Sequence, residues 1–197
     1  MKPEVFDSIF RSVNREVWVV TSAHQQQSAG LLATWVSAAS IDPTRPMIFM
    51  GLAATNHTAE VVRNSGVFGL HLLKPEQHDL AINFAVGSGR QRDKFDGLAT
   101  SLGRSGVPLL KEAHSWMEGE VVHCFDGGDR WYFWGRLLDG ESNSTVEPLR
   151  EREFFAAASA KHLEKLEENR EHHCEIHRPM FEAWLAKSQT GVQGKEQ

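Results

Sequence analysis

Gly30-Leu-Leu-Ala-Thr-Trp-Val-Ser-Ala-Ala-Ser40 lies between two apolar runs, one ending at Thr21-Ser22 and the other over Met47-Ile-Phe-Met50. Its alanines leave room for a flat ligand, and its hydroxyl groups supply hydrogen-bond donors for an anionic one. Neither a plain core strand nor an exposed loop needs that mixture. We predict that this stretch forms one strand and the floor of a cofactor site.

Composition places the chain among soluble globular proteins of one domain. It has 197 residues, of which 41% are hydrophobic and 24% charged, enough to bury a sizeable core. The net charge of -5 argues against a general nucleic-acid binder. No apolar run approaches the roughly 20 residues that span a bilayer, and the first residues do not resemble a signal segment. We therefore expect a cytoplasmic protein that binds neither nucleic acid nor membrane.

The apolar runs on either side of this stretch predict further strands. Their β-branched and aromatic residues favour extended structure, and Asp126-Gly-Gly-Asp129 is a strong hairpin signal. The hairpin strands are apolar on both faces, so we expect the barrel core to cover one face and a partner or helix the other. The predicted strands are Val17–Thr21, Met47–Leu52, Val67–Leu73, Ser115–Phe125 and Arg130–Leu138.

Helical periodicity appears at both ends of the chain. Residues 3–13 predict an amphipathic helix that covers one end of a barrel. Short helices are expected at Thr58–Asn64 and after Pro75, and a charged helical segment runs over 150–187 with Pro179 interrupting it. We divide the chain into a main domain over 1–148, a helical extension over 149–187 and a disordered tail over 188–197.

Two short segments could hold an anion. Thr55 or Asn56 precedes a helix whose free N–H groups suit a phosphate or a ring carbonyl, although helix capping alone explains both residues. Arg90, Arg92 and Lys94 could clamp a phosphate, but a solvated loop is the alternative, which we favour for Arg90.

The histidines and cysteines give a competing metal hypothesis. His173 and His177 are four residues apart on the charged helix, with Cys174 beside them, and zinc accepts such ligands. A complete ligand set needs another group, so we favour a solvated histidine face and expect no metal. His71 is expected to be a satisfied core histidine, Cys124 a buried small hydrophobe, and a disulfide to Cys174 is not expected in a reducing compartment.

The order of motifs resembles the flavin reductase-like family with the FMN-binding split barrel. The matching segments cover roughly residues 5–140, and each is weak alone but shares the family's order. Ala33-Thr-Trp-Val-Ser37 is most similar to the flavin reductase-like modules of flavodiiron proteins. The segments are Val19–Ser22, Ala29–Ser40, Asp42-Pro43, Thr55–Glu60, Gly66–His71, Asp93–Phe95, Gly106–Pro108 and Gly128-Asp129.

This resemblance implies a mainly β fold: a Greek-key split β-barrel with flanking helices and a C-terminal helical extension. It also implies bound FMN rather than FAD, NADH or NADPH as co-substrate, and a homodimer with the flavin near the interface. The implied flavin-binding residues are Thr34, Trp35, Val36 and Ser37 at the ring and ribityl chain, Ala39 and Ser40 nearby, Ala53, Ala54, Thr55, Asn56, His57 and Thr58 at the pyrimidine edge or phosphate, and Lys94 and Phe95, with Lys94 a phosphate partner.

The implied function is an NAD(P)H-dependent flavin oxidoreductase that passes electrons to flavin or to a protein acceptor such as a flavin-using monooxygenase. The flavin carries the hydride chemistry, so no protein nucleophile is needed, and Arg130 and His57 are the candidate catalytic residues. Arg130 stands where NAD(P)H-dependent members commonly carry His, which leaves open an electron-transfer flavoprotein that does not oxidise NAD(P)H.

Two further points remain from the resemblance. The helical segment after Arg150 is longer than a minimal reductase requires and could cover the flavin, exchange between subunits or exclude free flavin. A third hypothesis is a binding module that has lost its flavin. The hydroxyl groups of Thr34, Ser37, Thr55 and Thr58 argue against that hypothesis.

Overall fold

One antiparallel sheet of seven strands forms the body of the protein. The computed structural model describes residues 1–143 and 145–192. The sheet has the spatial order β2-β1-β5-β8-β9-β4-β3. Its strands are β1 Trp18–His24, β2 Gln27–Ala33, β3 Val36–Ala38, β4 Met47–Ala53, β5 Val67–Leu72, β8 Ser115–Asp126 and β9 Arg130–Ser142. A small second sheet pairs β6 Thr100–Leu102 with β7 Pro108–Leu110. The prediction of a mainly β fold is confirmed.

The sheet curls into a half-barrel because its two edge strands are consecutive in the chain. Only Thr34 and Trp35 separate β2 from β3, although these strands lie at opposite edges of the sheet. Laid flat, seven strands would hold their edges about 29 Å apart, whereas three residue steps reach at most about 11 Å. The predicted single strand from Gly30 to Ser40 is therefore wrong: the chain breaks where it passes from one edge to the other.

An apolar cluster packs on each face of the sheet, because successive residues of a strand, such as Val19 and Val20, point to opposite faces. Phe68, Met50 and Phe133 are fully buried in the first cluster, with Val20 and Leu70 beside them. The second cluster lies under the helices and contains Val17, Val19, Leu73, Phe84 and Phe154.

His71 is the core histidine that the sequence predicts. It is fully buried on β5; its Nδ1 donates to the Val19 carbonyl oxygen (3.1 Å) and its Nε2 accepts from the Leu110 N–H (3.1 Å). Burial lowers its pKa to about 4, so the ring is neutral at physiological pH.

In the described part of the chain, five helices flank the sheet: α1 Pro3–Ser12, α2 His57–Ser65, α3 His78–Ala85, α4 Glu151–Ala157 and α5 Ala160–Val192. No residue of α1 is buried, so the expectation that it covers one end of the barrel is not met within this chain. The outer face of the β8–β9 hairpin is likewise only partly covered, since Trp134 is 37% exposed. Among the described residues, no helix has the length and apolar character needed to cross a membrane.

Helix α5 differs from the prediction at two places. It continues through Pro179, which was expected to end it. A proline within a helix removes one backbone hydrogen bond and costs about 3 kcal/mol, and packing on either side offsets this: His177 is buried, and Trp184 lies against the β8–β9 turn. The helix also extends to Val192, into the expected tail, and residues 193–197 lie outside the described part of the chain.

Candidate functional site

A cavity of about 580 Å³ opens between β2, the segment Ala53–Thr58, the loop after α3 and helix α5. Its volume lies within the usual range for a small-molecule or cofactor pocket. Six of the predicted site residues line it: Ala53, Thr55, Asn56, His57, Thr58 and Lys94. Arg130 from the start of β9 lines it as well. The two segments predicted to hold an anion therefore meet in one pocket.

The N-terminus of α2 faces this pocket without a capping side chain. Asn56 occupies the N-cap position with extended backbone geometry, yet it makes no side-chain cap hydrogen bond. Thr55 directs its hydroxyl to the ring of His177 instead (2.9 Å). Capping thus does not account for either residue, and the first turn of α2 retains N–H groups that suit an anion.

Lys94 places a buried positive charge in the same cavity. The residue is 5% exposed, and within the described part of the chain its Nζ donates one hydrogen bond, to the Phe84 carbonyl oxygen (2.9 Å). Burial, followed by the charge of Arg92, lowers its pKa to about 8. Since an ammonium group has three donors, Lys94 can still donate to an anionic ligand. Asn83 fixes the loop by donating to the Lys94 carbonyl oxygen (2.7 Å).

The lining of the cavity carries charge of one sign. Among the described residues that line it, none is Asp or Glu, although the whole chain has a net charge of -5. A low-dielectric cleft of one sign concentrates oppositely charged ligands. The basic residues of the lining are Arg90, Lys94, Arg130, Lys165, His57, His172 and His173.

Arg130 stands where three cavities meet. It lines the main cavity and its two neighbours of about 440 and 180 Å³. Its guanidinium carbon lies 4.1 Å from the centre of the Trp35 ring, which is a cation–π contact, and its Nε lies 3.4 Å from Asp129 Oδ2. That Nε is buried and makes no hydrogen bond to any residue that the structure describes. Trp35 therefore packs under a cation at the edge of the pocket.

The remaining predicted residues lie at or beyond the edge of this pocket. Thr34 and Trp35 line the 180 Å³ cavity, and Ala54 ties its loop to the hairpin by donating to the Asp129 carbonyl oxygen (3.0 Å). Phe95 packs edge-on against Phe84 behind Lys94 (5.4 Å). Four predicted residues lie on β3 or just after it and line none of the three cavities: Val36, Ser37, Ala39 and Ser40.

Helix α5 supplies a wall of the pocket, and covering the flavin was one of the three roles that the sequence left open for this segment. His177 is 7% exposed, and besides its bond to Thr55 its Nδ1 lies 3.9 Å from Asp129 Oδ2. Burial is the main cause of its lowered pKa. The sequence favoured a solvated histidine face here over a metal site. That expectation is wrong for His177, whose buried ring contacts the Thr55 hydroxyl and has His173 stacked on it (5.2 Å).

A close backbone approach fixes α5 at its far end. Gly128 in the β8–β9 turn has a φ of +88°, and a Cβ there would lie 2.8 Å from Trp184 Cβ. Only glycine allows this contact and this backbone conformation together.

The half-barrel fold is shared with a flavin reductase of known structure. The family described as flavin reductase like domain matches residues 10–157, so the chain belongs to that family. The match ends before α5 begins at Ala160. The predicted family is confirmed.

Relatives with several different names are similar to this chain in sequence. The chain is 27% identical over 154 residues to a ferric-chelate reductase (NAD(P)H) of Archaeoglobus fulgidus, covering 77% of this chain and 90% of that one. It is 28% identical over 124 residues to a protein named diflavin flavoprotein A 6 in Nostoc sp., covering 62% of this chain. The chain spans only about a fifth (21%) of that relative's length.

Solved structures agree with this fold. The flavin reductase component of a bacterial two-component tryptophan halogenase superimposes with a TM-score of 0.65 at 27% identity, over 76% of this chain and 92% of that one.

Proposed function

We propose that this protein is an NAD(P)H-dependent flavin oxidoreductase that binds FMN and passes electrons to free flavin or to a protein acceptor. The observation that carries the proposal is a cavity with no Asp or Glu among its described lining residues. An uncapped helix N-terminus and a buried lysine both line it, in a chain of the flavin reductase-like family. Relatives named NADH-dependent FMN reductase and ferric-chelate reductase (NAD(P)H) support the same reaction class.

The residues present fit FMN better than an uncharged ligand. The first turn of α2 and Lys94 would hold the phosphate, since both offer N–H donors that the protein leaves unused. Ala53 and the nearby Thr34 and Trp35 would lie along the ring. When bound, the flavin would accept and release the hydride, while the protein orients it and controls access. We favour FMN over FAD, because FMN carries a single phosphate and Lys94 is the single lysine among the described residues that is buried.

We also propose a homodimer in the cytoplasm, with electrons passing to a partner such as a flavin-dependent monooxygenase. A compact monomer of 22.1 kDa exposes about 9,400 Å², whereas this chain exposes 12128 Å². Phe49 and Tyr132 stack on the outer face of the sheet beside the half-exposed Trp134, and a second copy would cover them. Related proteins are named as reductase components of a monooxygenase and of a halogenase.

One observation favours an alternative, a flavin-binding electron carrier that does not oxidise NAD(P)H. Helix α5 lines the main cavity with His172 and His173, and its His177 lines the neighbouring 440 Å³ cavity, so the helix restricts the approach of a large hydride donor.

Anaerobic reduction separates these two functions. The purified yellow protein is mixed with NADH or NADPH without oxygen, and absorbance near the flavin maximum is followed. Bleaching within the mixing time supports the reductase, whereas an unchanged spectrum with flavin bound supports the carrier. A colourless protein that takes up no FMN on titration rules out both and leaves a binding module.

A further inference from the structure

Helix α5 turns polar side chains toward the cavity although it lies outside the segment that matches the family. Lys165, Asn169, His172 and His173 all line the 580 Å³ cavity, and the family match ends at residue 157. A helix that only closed a pocket would be expected to turn apolar residues inward. Ile176 is the one apolar residue among the described α5 positions in this lining.

The basic residues of the cavity occupy two depths. Lys94 is buried in the same lining as the α2 N-terminus, whereas Arg90, Lys165 and His172, which we call the rim, are exposed. Two rim cations already contact an acid: Arg90 pairs with Glu60 (2.6 Å) and Lys165 with Glu168 (2.9 Å). Each retains further N–H donors for a ligand, because a guanidinium has five and an ammonium three.

We propose that the rim of this cavity, with Lys165 and His172 of α5, is a second anion-binding subsite that takes the phosphates of the dinucleotide hydride donor. This inference rests on the proposed function. Lys94 and the first turn of α2 would bind the single phosphate of FMN. The basic residues at the rim would then stay available for a second anionic ligand. A buried charge suits a ligand that stays bound, because dissociation of that ligand leaves the charge buried without a partner. Solvent-exposed basic residues suit a ligand that exchanges in each turnover, because water replaces the ligand when it leaves.

The chemistry of the donor matches this arrangement. A dinucleotide carries a pyrophosphate some distance from its nicotinamide, so the ring can reach into the cavity while the phosphates stay near the mouth. Asn169 and His173 lie on the cavity side of α5 between the rim and the interior, and their polar atoms suit the sugars between these two parts. The proposed subsite would thus set affinity for the donor and leave the hydride step unchanged.

The test compares Lys165→Gln/His172→Gln with a matched control, Lys161→Gln, which removes an exposed lysine of α5 that does not line the cavity. ADP-ribose, which carries the phosphates without the nicotinamide ring, is titrated into the FMN-loaded protein by calorimetry. Loss of one exposed charge contact and one imidazole hydrogen bond corresponds to about a threefold to tenfold loss of affinity in the double variant. The control should bind as the parent protein does, and added salt should weaken the parent more than the double variant.

Kinetics then separate phosphate recognition from a change in access. The KM for NADH or NADPH should rise by the same factor with kcat unchanged, while reduction by 1-benzyl-1,4-dihydronicotinamide, which has no phosphate, should stay at the parent rate. Equal ADP-ribose affinity in parent and double variant overturns the subsite, as does an equal loss with both donors. If neither donor reduces the flavin, the proposed reductase function is wrong, and the ADP-ribose titration still decides whether the rim binds phosphate.

Discussion

Lys94 is the residue whose substitution should separate binding from folding most clearly. Its ammonium group is buried at the cavity, and its one hydrogen bond to the described part of the chain is to the Phe84 carbonyl oxygen. Lys94→Met keeps most of the side-chain volume and removes the charge. We expect the variant to bind FMN more weakly and to be at least as stable as the parent when no flavin is bound.

The two effects can be given magnitudes. A charge-assisted hydrogen bond to phosphate contributes about 1.5–3 kcal/mol, so FMN affinity should fall about tenfold to 150-fold. A pKa lowered from 10.5 to about 8 means that the buried charge costs the ligand-free protein about 3 kcal/mol at pH 7. The variant also leaves the Phe84 carbonyl oxygen without its donor, which lowers the free energy of unfolding by about 1–3 kcal/mol. The ligand-free variant should therefore be about 0–2 kcal/mol more stable.

The sign of the pH dependence follows from the direction of this shift. The pKa of Lys94 is lower in the folded state, so the cost of its charge is complete below about pH 8 and disappears as the pH rises toward 10.5. The stability advantage of the variant should shrink over that interval. FMN affinity of the parent should fall as the pH rises above about 8, the pKa of Lys94 in the ligand-free protein, and level off above its pKa in the complex, which the phosphate raises, while that of the variant stays flat.

Urea unfolding of the ligand-free proteins and fluorescence titration with FMN measure the two quantities. Lys111→Met is the control, since it removes an exposed lysine that lines none of the three cavities. Unaltered FMN affinity in Lys94→Met, combined with a loss of stability, would refute the reasoning and make Lys94 a structural residue.

Three further substitutions test the packing around the site. Gly30→Ala would place a Cβ 2.8 Å from Phe84 Cδ1, and we expect a loss of about 1–3 kcal/mol by urea unfolding. Gly128→Ala would push against Trp184, and amide hydrogen exchange should show faster exchange in α5 with the sheet unchanged. Glu118→Gln should cost about 1–3 kcal/mol at pH 7, because it disrupts a buried carboxylate that accepts from backbone N–H groups. The difference should vanish as the pH falls below about 4.5, since hydrogen bonds outweigh burial and lower the pKa of that carboxylate.

Two outcomes would contradict these predictions. A Gly30→Ala protein as stable as the parent would mean that the Phe84 ring moves aside without cost. A Glu118→Gln protein that keeps its full deficit at pH 3.5, tested by the same unfolding assay, would contradict the lowered pKa.

Local sequence signals were sufficient for most of the strands. β-branched and aromatic runs predicted β1, β4 and β5, and Asp126-Gly-Gly-Asp129 predicted the turn of the β8–β9 hairpin. These elements depend on neighbours a few residues away, and the burial of Val19 and Phe68 follows the alternation that the sequence displays.

The break at Thr34-Trp35 depends on distant pairing and had no local signal. Residues before it pair with β1, and residues after it pair with β4. Nothing in a run of small and apolar residues shows that its two halves belong to opposite edges of one sheet. A curled sheet with consecutive edge strands supplies that information only when the whole topology is known.

Only part of the site was predictable from the sequence, because some of its residues meet through contacts between distant parts of the chain. The segment Ala53–Thr58 and Lys94 line one cavity, and the sequence singled out both by their chemistry and by the family's motif order. Their role in binding flavin stays a prediction. Covering the flavin was one of three roles left open for α5, but none of its residues was assigned to the site, because its histidines were interpreted as a solvated face or a metal cluster. The bond from His177 to Thr55 joins residues 122 positions apart.

Gly128→Ala is the most informative substitution for α5. It changes the contact between the β8–β9 turn and Trp184 of the helix, and it alters none of the residues that line the cavity. Its φ of +88° means that alanine also brings backbone strain, which must be separated from the clash with Trp184. Gly97→Ala provides that control: it has a φ of +72°, and a Cβ there meets nothing within 4 Å. If α5 forms a wall of the donor site, Gly128→Ala should weaken ADP-ribose binding while Gly97→Ala does not. Stronger binding in Gly128→Ala would instead make α5 a lid that excludes the donor.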